Sequence, residues 1–390
     1  MIIHRRFLSA LSLILLLPIV ACTQTLPEGA IPSEHHPYTV SVFVDGLENP
    51  WSIAFLPDGD VLVTERPGRL RVIRDGVLLE QPVSGVPAVR TGNQGGLLDV
   101  VPHPNYQNNR LIYLSFSRGN ADGSEGTTVV IRGRYENNAL TNIEEIFEAK
   151  AWYRSRGHYG CRLAFDKDGY LFITVGDRQV PPRGDLSAHN AQLLSDHFGT
   201  TLRLFDDGRI PEDNPFVGVE GAQPEIWSYG HRNAQGMVID PATGNIWQHE
   251  HGPQGGDELN LIKPGVNYGW PVIGYGVNYG VGTPIHETSA KEGMEQPVHY
   301  WVPSIAASGL MIYDGDAFPQ WKGNIFAGGL AGEQLARLTM DGTRVLSEET
   351  LVQNMGRIRD VRQGPDGFIY LAMDSRTGGT SPILRVAPAQ

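Results

Sequence analysis

Residues 166–178 read DKDGYLFITVGDR, in which a polar turn ending in glycine precedes a run of apolar and β-branched residues. Glycine adopts the backbone conformation that a tight turn needs, and the run that follows is typical of a buried strand. Five other stretches resemble this one: LPDGDVLVTER at 56–66, YQNNRLIYLSFS at 106–117, PATGNIWQHE at 241–250, WKGNIFAGGL at 321–330 and GPDGFIYLAMD at 364–374. The copies begin roughly 40 to 80 residues apart, which indicates a repeat architecture.

Six copies of a strand-rich unit predict an all-β fold, a six-bladed β-propeller that forms a single domain over residues 38–390. Loops at the ends of the blades would surround a central channel, so we expect the active site at the mouth of that channel. The segment TVSVFVDGL at 39–47 is predicted to be an extra strand that completes the final blade. Two packed β domains are the alternative architecture.

The composition limits the partners and the means of stabilisation. The chain of 390 residues carries a formal net charge of -12, so it has no basic stripe that would displace counterions from a nucleic acid. Of its two cysteines, only Cys161 falls in the predicted domain, which excludes a disulfide within that domain. Stability must therefore come from a large hydrophobic core.

The N-terminus has the pattern of an export signal. A positively charged start precedes an apolar run at 7–20 that is too short to span a membrane comfortably. The string LPIVAC at 17–22 resembles a bacterial lipobox, which implies removal of residues 1–21 and acylation of Cys22; ordinary signal cleavage is the alternative. Residues 22–37 are predicted to form a flexible tether. We therefore expect a periplasmic or cell-envelope lipoprotein that is held at the outer membrane only by its lipid.

Residues 225–270 concentrate charged, amide and carbonyl ligands between glycines and aromatic residues, a composition typical of a binding site. Arg232-Asn233 would suit an anion. Glu250, the Gly252-Pro253 turn and the Asp257-Glu258 pair offer the oxygen ligands that a hard cation prefers. The segment therefore predicts a combined anion and cation site.

Several long motifs, in order along nearly the whole predicted domain, resemble the soluble quinoprotein sugar dehydrogenases, and most closely the bacterial aldose sugar dehydrogenases. They are GLENPWSIAFLPDGDVLVTERPGRLRVI at 46–73, GNQGGLLDVVPHPNY at 92–106, HYGCRLAFDKDGYLFITVGDR at 158–178, WVPSIAASGLMIYDG at 301–315 and RIRDVRQGPDGFIYLAMD at 357–374. The resemblance implies an enzyme that uses pyrroloquinoline quinone (PQQ) and calcium to oxidise the C1 hydroxyl of an aldose sugar to the lactone. Hydride would pass to PQQ and electrons to an external acceptor, and we expect a monomer or dimer.

His158 is the expected catalytic base. It stands just before a strand in the turn SRGHYGC at 155–161, where an imidazole would project into the channel mouth, and it matches the proton-accepting histidine of the family. Oxidation of an alcohol requires a group that takes the hydroxyl proton as hydride leaves. A solvated loop histidine is the alternative interpretation.

The predicted cofactor contacts follow from the three carboxylates of PQQ, which require fixed cationic donors. Two arginines separated by one residue in an extended segment would point to the same face and bind carboxylates together. The residues that match family cofactor contacts, or border the quinone in relatives, are Gln94, Arg232, Asn233, Trp301, Ser304, Arg357 and Arg359.

The predicted metal ligands are oxygen atoms near one turn. In the family the carbonyls that correspond to Gly252 and Pro253 hold the calcium, and Glu250 and Tyr268 complete the predicted set here. The sequence does not separate the roles of Asp257 and Glu258. The run HEH at 249–251 lacks the spacing of a helical zinc site.

Two positions depart from the family pattern. Cys161 replaces a common glycine and could crowd the site or be oxidised there, and Ala331 stands where some glucose-oxidising relatives have a lysine near the cofactor. Two other functions stay open, a calcium-dependent propeller hydrolase such as a lactonase and a non-catalytic extracellular binding propeller. Such a hydrolase would not need the paired arginines.

Overall fold

The structure, a computed structural model, describes residues 27–389; the predicted signal peptide and the predicted lipidation site at Cys22 lie outside them. Six sheets of four antiparallel strands contain nearly all the regular structure. The α-helix of this part of the chain, α1, is a single turn at Tyr106–Asn109. Three 3₁₀ turns cover Leu186–Ala188, Asn190–Gln192 and Pro319–Trp321. The prediction of an all-β fold is confirmed.

The first two sheets follow one another directly along the chain. Strand β1 covers Tyr38–Glu48 and belongs to the last sheet. The first sheet contains β2 (Pro50–Phe55), β3 (Val61–Glu65), β4 (Arg69–Arg74) and β5 (Val77–Leu78). The second contains β6 (Leu97–Pro102), β7 (Leu111–Gly119), β8 (Gly126–Glu136) and β9 (Ala139–Glu148).

The remaining sheets repeat this order. The third contains β10 (Leu163–Phe165), β11 (Leu171–Val175), β12 (Thr200–Leu204) and β13 (Ile226–Tyr229). The fourth contains β14 (Ala234–Ile239), β15 (Ile246–Glu250), β16 (Asp257–Ile262) and β17 (His299–Trp301). The fifth contains β18 (Ala307–Ile312), β19 (Ile325–Gly329), β20 (Gln334–Asp341) and β21 (Arg344–Leu351). The sixth contains β22 (Arg357–Gln363), β23 (Ile369–Asp374), β24 (Thr380–Pro388) and β1.

Each sheet is one blade of a propeller, and its first strand lies nearest the central channel. The first strands of neighbouring blades contact one another around a complete ring, in the order β2, β6, β10, β14, β18, β22 and back to β2. Strand β1 pairs with β24, with Tyr38 opposite Pro388 and Glu48 opposite Thr380. The N-terminal strand thus completes the final blade, as residues 39–47 predicted, and the six-bladed propeller is confirmed.

Hydrophobic clusters fill the spaces between neighbouring blades. Leu62 of β3 packs in one cluster with Leu114 of β7, and Leu259 of β16 packs in another with Leu310 of β18. Full burial of one such leucine contributes about 1.5 to 3 kcal/mol, so these clusters stabilise the ring without a disulfide. No helix in residues 27–389 is long and apolar enough to cross a membrane.

One mouth of the channel collects the loops that carry the predicted site residues. Because each second strand runs antiparallel to the first, it ends at the same mouth at which the first strand begins. His158 precedes β10, Arg232 and Asn233 precede β14, and Asp177 follows β11. The turn Gly252-Pro253 follows β15, and Arg357 opens β22. The topology therefore brings loops from several blades to one place.

The last residues of the predicted tether pack against the propeller. Ile31 pairs with Tyr38 as a backbone bridge, and Glu34 Oε2 lies 2.7 Å from Nη2 of the buried Arg337. The ring of His36 packs edge-on against Phe318 and Trp321, with centroids 5.6 and 5.5 Å away. These contacts give residues 31–37 defined partners, which their polar composition did not predict.

Candidate active site

His158 lies at the channel mouth in a loop with an unusual backbone. Its φ is +50°, and Gly160 and Cys161 that follow have φ of +66° and +74°. The Oε1 atom of Gln94 accepts a hydrogen bond of 2.7 Å from the His158 backbone N–H. A Cβ atom at Gly176 would lie 2.4 Å from the carbonyl oxygen of His158, so only glycine permits this close approach. Contacts with neighbouring residues thus hold this loop in a backbone conformation that residues other than glycine seldom adopt.

The imidazole of His158 is paired with a buried carboxylate. Its Nδ1 lies 2.6 Å from Oδ1 of Asp177, and the two side chains are 6% and 1% exposed. Burial, followed by the charge of Arg232, lowers the pKa of His158, although Asp177 opposes this shift. Burial would raise the pKa of Asp177, but the charge and hydrogen bond of His158 hold it below its usual value. The pair therefore places a neutral imidazole with a fixed orientation at the channel mouth.

Arg232 and Asn233 lie beside this pair on the next blade. The backbone N–H of Asp177 donates to the carbonyl of Arg232 at 2.8 Å, and Asn233 Oδ1 accepts a bond of 3.1 Å from the N–H of Gly160. The guanidinium of Arg232 donates to the carbonyl of Gly252 at 2.7 Å and to that of His251 at 3.1 Å. Arg232 therefore connects the base to the turn that carries the predicted metal ligands.

Arg357 and Arg359 share one carboxylate, as their spacing predicted for residues on one face. Their Nη2 atoms lie 3.4 and 3.3 Å from Oδ2 of Asp374. Arg359 also donates to Oε1 of Gln235 at 2.8 Å, and Arg357 donates to the carbonyl of Leu330, next to Ala331, at 2.8 Å. Burial lowers the pKa of Arg359 to about 10, which still leaves the side chain charged at neutral pH.

Four of the predicted cofactor residues contain buried donor atoms that lack a hydrogen-bond partner within the described chain. These atoms are Nε of Arg232, Nδ2 of Asn233, Nε of Arg357 and Nε of Arg359. Other buried donors without a partner occur elsewhere in residues 27–389, for example Nε of Arg71 and of Arg385. The four at the channel mouth are distinguished because they lie together, and a ligand that accepts hydrogen bonds would satisfy them. Carboxylate and quinone oxygens have this property.

The predicted metal residues line one pocket beside Arg232. Glu250, Gly252, Pro253 and Tyr268 all face it, as does Glu258. The Tyr268 hydroxyl donates to the carbonyl of Leu261 at 2.6 Å and accepts from the backbone of Lys263 at 2.9 Å, so this hydroxyl is already committed within the fold. Any ligand atom from Tyr268 would therefore be its backbone carbonyl.

The structure separates the roles of the acidic residues. The carboxylate of Glu250 accepts from the imidazole of His231 at 2.9 Å, from Asn260 at 3.2 Å and from the Arg232 backbone N–H. Its cross-strand neighbour Glu258 has one long bond from Asn260, at 3.4 Å. Burial, and then the charge of Glu250, raises the pKa of Glu258 well above its usual value. Of these two carboxylates, Glu258 is consequently the one whose ionised form a bound cation would stabilise most.

Asp257 has a structural role instead. Its Oδ1 accepts from the Gly252 backbone N–H at 2.9 Å, and both of its oxygens accept from the Ser304 hydroxyl at 2.8 Å. Ser304 therefore contributes to the position of the Gly252-Pro253 turn through its hydrogen bonds to Asp257. Trp301 lies farther away, in the apolar cluster between the fourth and fifth blades, and its indole N–H donates to Glu348 at 3.0 Å. The structure does not bring the Trp301 side chain to the other predicted site residues.

The histidines beside Glu250 do not form a zinc site. The Nε2–H of His249 donates to the carbonyl of Ser308 at 2.9 Å, and that of His251 donates to Gln235 Oε1 at 3.0 Å. Residues 27–389 contain no group of three His, Cys, Asp or Glu side chains placed to hold a metal ion. A cation at this mouth would take backbone carbonyl oxygens for several of its ligands, a choice open to calcium.

Burial keeps the Cys161 thiol away from the reacting groups. Its side chain is fully buried among Trp51, Leu98 and Tyr159, and its thiol donates to Thr128 Oγ1 at 3.6 Å. Burial raises the pKa of the thiol to about 12. The thiolate needed for oxidation is therefore scarce.

Asp177, Gln235, Trp270 and Asp374 belong to the site although the sequence analysis did not select them. Asp177 and Asp374 each stand at or just beyond the end of a second strand, in the runs VGDR and AMD, and the runs TER at 64–66 and QHE at 248–250 carry an acidic residue at the same place in other repeats. The recurrence of an acidic residue at that position was a usable signal, since strand ends face the mouth. Trp270 and Gln235 lie within the predicted binding segment 225–270, but no pattern distinguishes them there, because only the folded ring places them beside Asp177 and Arg359.

The sequence matches the family described as Glucose / Sorbosone dehydrogenase over residues 47–385. The aldose sugar dehydrogenase YliI of Escherichia coli (strain K12) is 42% identical over 359 residues, which cover 90% of this chain and 94% of that protein.

Solved structures give the same result. The soluble aldose sugar dehydrogenase from Escherichia coli in its apo form matches with a TM-score of 0.84 at 41% identity, over 90% of this chain and 99% of that one. The PQQ-bound form of an aldose sugar dehydrogenase from Streptomyces coelicolor matches with a TM-score of 0.72 at 27% identity, over 90% and 98% of the two chains. On sequence and fold together, the chain belongs to the glucose/sorbosone dehydrogenase family.

Proposed function

We propose that this protein is a PQQ- and calcium-dependent dehydrogenase that oxidises the C1 hydroxyl of an aldose to the lactone and passes the electrons to an external acceptor. The observation that carries the proposal is the group of buried, unpartnered donors on Arg232, Asn233, Arg357 and Arg359, which surrounds a mouth that also holds the His158–Asp177 pair. A PQQ-bound relative and an aldose sugar dehydrogenase of similar length support the choice of cofactor and substrate class.

His158 would act as the general base. Its Nδ1 is engaged by Asp177, so Nε2 is the ring atom free to accept the C1 hydroxyl proton. Its lowered pKa keeps the imidazole neutral at physiological pH. Once the proton arrives, the carboxylate of Asp177 stabilises the imidazolium that forms, as a buried acid partner does in other histidine-based sites. Bound PQQ would supply the electron sink that takes up hydride from C1.

Arg232, Asn233, Arg357 and Arg359 would hold the cofactor. Their donors suit its carboxylate and quinone oxygens, and the fixed positive charges would favour negative charge that develops during reduction. Glu258 and the carbonyls of Gly252 and Pro253 would bind calcium, because they combine one carboxylate with neutral oxygens at a single pocket. The Gly252 oxygen accepts from Arg232 and has a second lone pair for the cation. Gln94 would set the position of the His158 backbone.

Two alternatives use part of this site. A calcium-dependent hydrolase would need the cation and a histidine but no buried donors for a second anionic group. A non-catalytic binding propeller would have no reason to bury Asp177 against His158. The Arg357–Asp374–Arg359 group and the His158–Asp177 pair therefore favour the dehydrogenase.

We also propose that the protein is exported and anchored through a lipid on Cys22, on the evidence of the N-terminal sequence. Strand β1 begins at Tyr38, opposite the end of β24, and so starts at the face away from the active-site mouth. An anchor on this segment would leave that mouth open to a soluble sugar and a soluble acceptor. Incorporation of labelled palmitate into the protein, and its loss in Cys22→Ser, tests the anchor; equal labelling of both forms would refute it.

Titration of the apo protein with PQQ tests cofactor binding without any assay of turnover. We expect saturable binding that strengthens with calcium, and binding that is weakened by Arg232→Ala but unaffected by Arg344→Ala, an arginine whose side chain is 72% exposed. A protein that binds calcium and hydrolyses lactones, but does not bind PQQ, would support the hydrolase. Absence of binding to PQQ under all conditions would overturn the proposal.

A further inference from the structure

Trp270 contacts both the acid partner of the proposed base and one of the proposed cofactor residues. Its indole N–H donates a hydrogen bond of 2.8 Å to Oδ2 of Asp177, the oxygen that does not face His158. The guanidinium carbon of Arg232 lies 5.1 Å from the centroid of its ring, within the range of a cation–π interaction. One side chain therefore contacts the carboxylate behind the proposed base and the arginine proposed to bind the cofactor.

The position of Trp270 is fixed by the surrounding structure. The ring is buried, with 7% of the residue exposed, and His286 and His189 pack edge-on against it at 5.5 and 6.4 Å. Its backbone N–H donates to the Gly230 carbonyl at 2.8 Å, and its carbonyl accepts from Gln192 at 2.7 Å. With backbone and ring both held, the indole N–H is a preorganised donor that loses little entropy when it binds Asp177.

We propose that Trp270 is a positioning residue for the base: it holds Asp177 in the orientation that pairs with His158 and keeps Arg232 in register with that pair. The catalytic part of this inference rests on the proposed function, while the hydrogen bond and its effect on His158 do not. A buried carboxylate with both oxygens engaged, one by Trp270 and one by His158, cannot rotate without losing a charge-assisted bond.

The hydrogen bond also sets how strongly Asp177 acts on His158. An N–H donated to Oδ2 draws part of the carboxylate charge toward the indole and away from the imidazole. The other charged or titratable groups near His158 are Arg232 and Arg178, which both favour its neutral form, and His251. Removal of the indole N–H should strengthen the effect of Asp177, so the pKa of His158 should rise.

Trp270→Phe is the test variant, because phenylalanine keeps an aromatic ring beside Arg232 while it removes the N–H donor and part of the indole volume. Trp301→Phe is the matched control: its indole also donates to a carboxylate, Glu348, at 3.0 Å, but outside the site. Trp301→Phe removes the same atoms, so it controls for the loss of volume. Titration of the histidine Hε1 protons by NMR in the apo proteins gives the pKa of His158 without cofactor. We expect a rise of about 0.5 unit or more in Trp270→Phe and no change in Trp301→Phe.

A second measurement uses the wild-type protein and so does not depend on the folding of a variant. The Nε1–H signal of Trp270 should shift with the same midpoint as His158 Hε1, while that of Trp301 should not. An indole signal that ignores the His158 midpoint, or an unchanged or lowered His158 pKa in Trp270→Phe, would overturn the inference.

Turnover separates this inference from the proposed function. With PQQ and calcium bound, Trp270→Phe should lose about 10-fold in kcat with KM and PQQ affinity nearly unchanged. If the wild-type protein shows the NMR coupling but no sugar oxidation, the proposed function fails and the positioning role of Trp270 stands.

Discussion

The Nδ1 atom of His158 lies 2.6 Å from Oδ1 of Asp177, and both side chains are almost fully buried at the channel mouth. The two residues come from loops on opposite sides of the same hairpin, one before β10 and the other after β11. Because antiparallel pairing fixes these two loops next to each other, the base and its acid partner are placed by the fold of a single blade.

Loss of the base should sharply lower turnover and leave cofactor binding almost unchanged. His158→Ala is expected to lower kcat by roughly 10²- to 10⁴-fold while PQQ affinity stays within a small factor, because the imidazole accepts the proton but does not hold the quinone. Steady-state dye reduction and a PQQ titration measure the two quantities. The control is His299→Ala, since His299 lies on β17, the outermost strand of the fourth blade, and its side chain pairs with Glu348. Unchanged turnover in His158→Ala would refute its role.

The pH profile should report the lowered pKa of His158. The base works only when neutral, so kcat/KM should fall as the pH drops, with a midpoint below the ordinary value of 6.5. Asp177 opposes the shift, and Asp177→Asn should therefore move this midpoint further down while lowering kcat. Asp168→Asn changes an exposed carboxylate and serves as control. A midpoint that rises in Asp177→Asn would contradict the pairing.

The paired arginines should determine cofactor affinity. Arg359→Ala removes a buried charge that contacts Asp374 and Gln235, and the dissociation constant for PQQ should rise about 10- to 100-fold, as expected for one charge-assisted bond. Absorbance titration measures it. Arg344→Ala, at a side chain that is 72% exposed, should bind normally. Equal affinities in the two variants would remove Arg359 from the cofactor site.

Calcium should stabilise the fold through Glu258. Excess calcium is expected to raise the Tm of the wild-type apo protein by about 2 to 5 °C, since a ligand that binds only the folded state adds to the free energy of unfolding. In Glu258→Gln most of this increment should disappear, while Glu292→Gln, at an exposed residue of the segment between β16 and β17, keeps it. An intact increment in Glu258→Gln would place the cation elsewhere.

Cys161 should be inert in the folded protein. Its thiol is fully buried and its pKa is raised to about 12, so a Cys22→Ser variant should resist thiol reagents until denaturant is added. Labelling followed by mass spectrometry measures this. Rapid stoichiometric modification under native conditions would show that the thiol reaches solvent near His158, as the sequence alone had allowed.

The propeller could be predicted because its signal is repeated. Six turn-and-strand segments each predict the second half of a hairpin, and DKDGYLFITVGDR at 166–178 contains the turn that follows β10 and the whole of β11. The closing strand at 39–47 could also be recognised, since a short alternating segment that precedes the first blade needs a partner, and β24 provides it.

The finer geometry of the site could not be read in this way. The sequence places Glu250 and Glu258 eight positions apart, but only strand pairing sets them opposite each other, where Asn260 bonds to both. The fold also removes a residue that the sequence placed at the site. The motif that contains Trp301 borders the site, while the Trp301 side chain points into the core between blades. Distances between loops of different blades depend on closure of the ring, and no local sequence pattern predicts how the ring closes.

The central claim is that the channel mouth oxidises an aldose with PQQ as electron sink and His158 as base. The most direct measurement mixes the apo protein with calcium, PQQ, an aldose and an electron-accepting dye, and follows both dye reduction and lactone formation. We predict one lactone for each pair of electrons delivered, loss of both signals when calcium is chelated before reconstitution, and loss of both in His158→Ala. Bound PQQ with no lactone from any aldose, or lactone formation that persists in His158→Ala, would contradict the account.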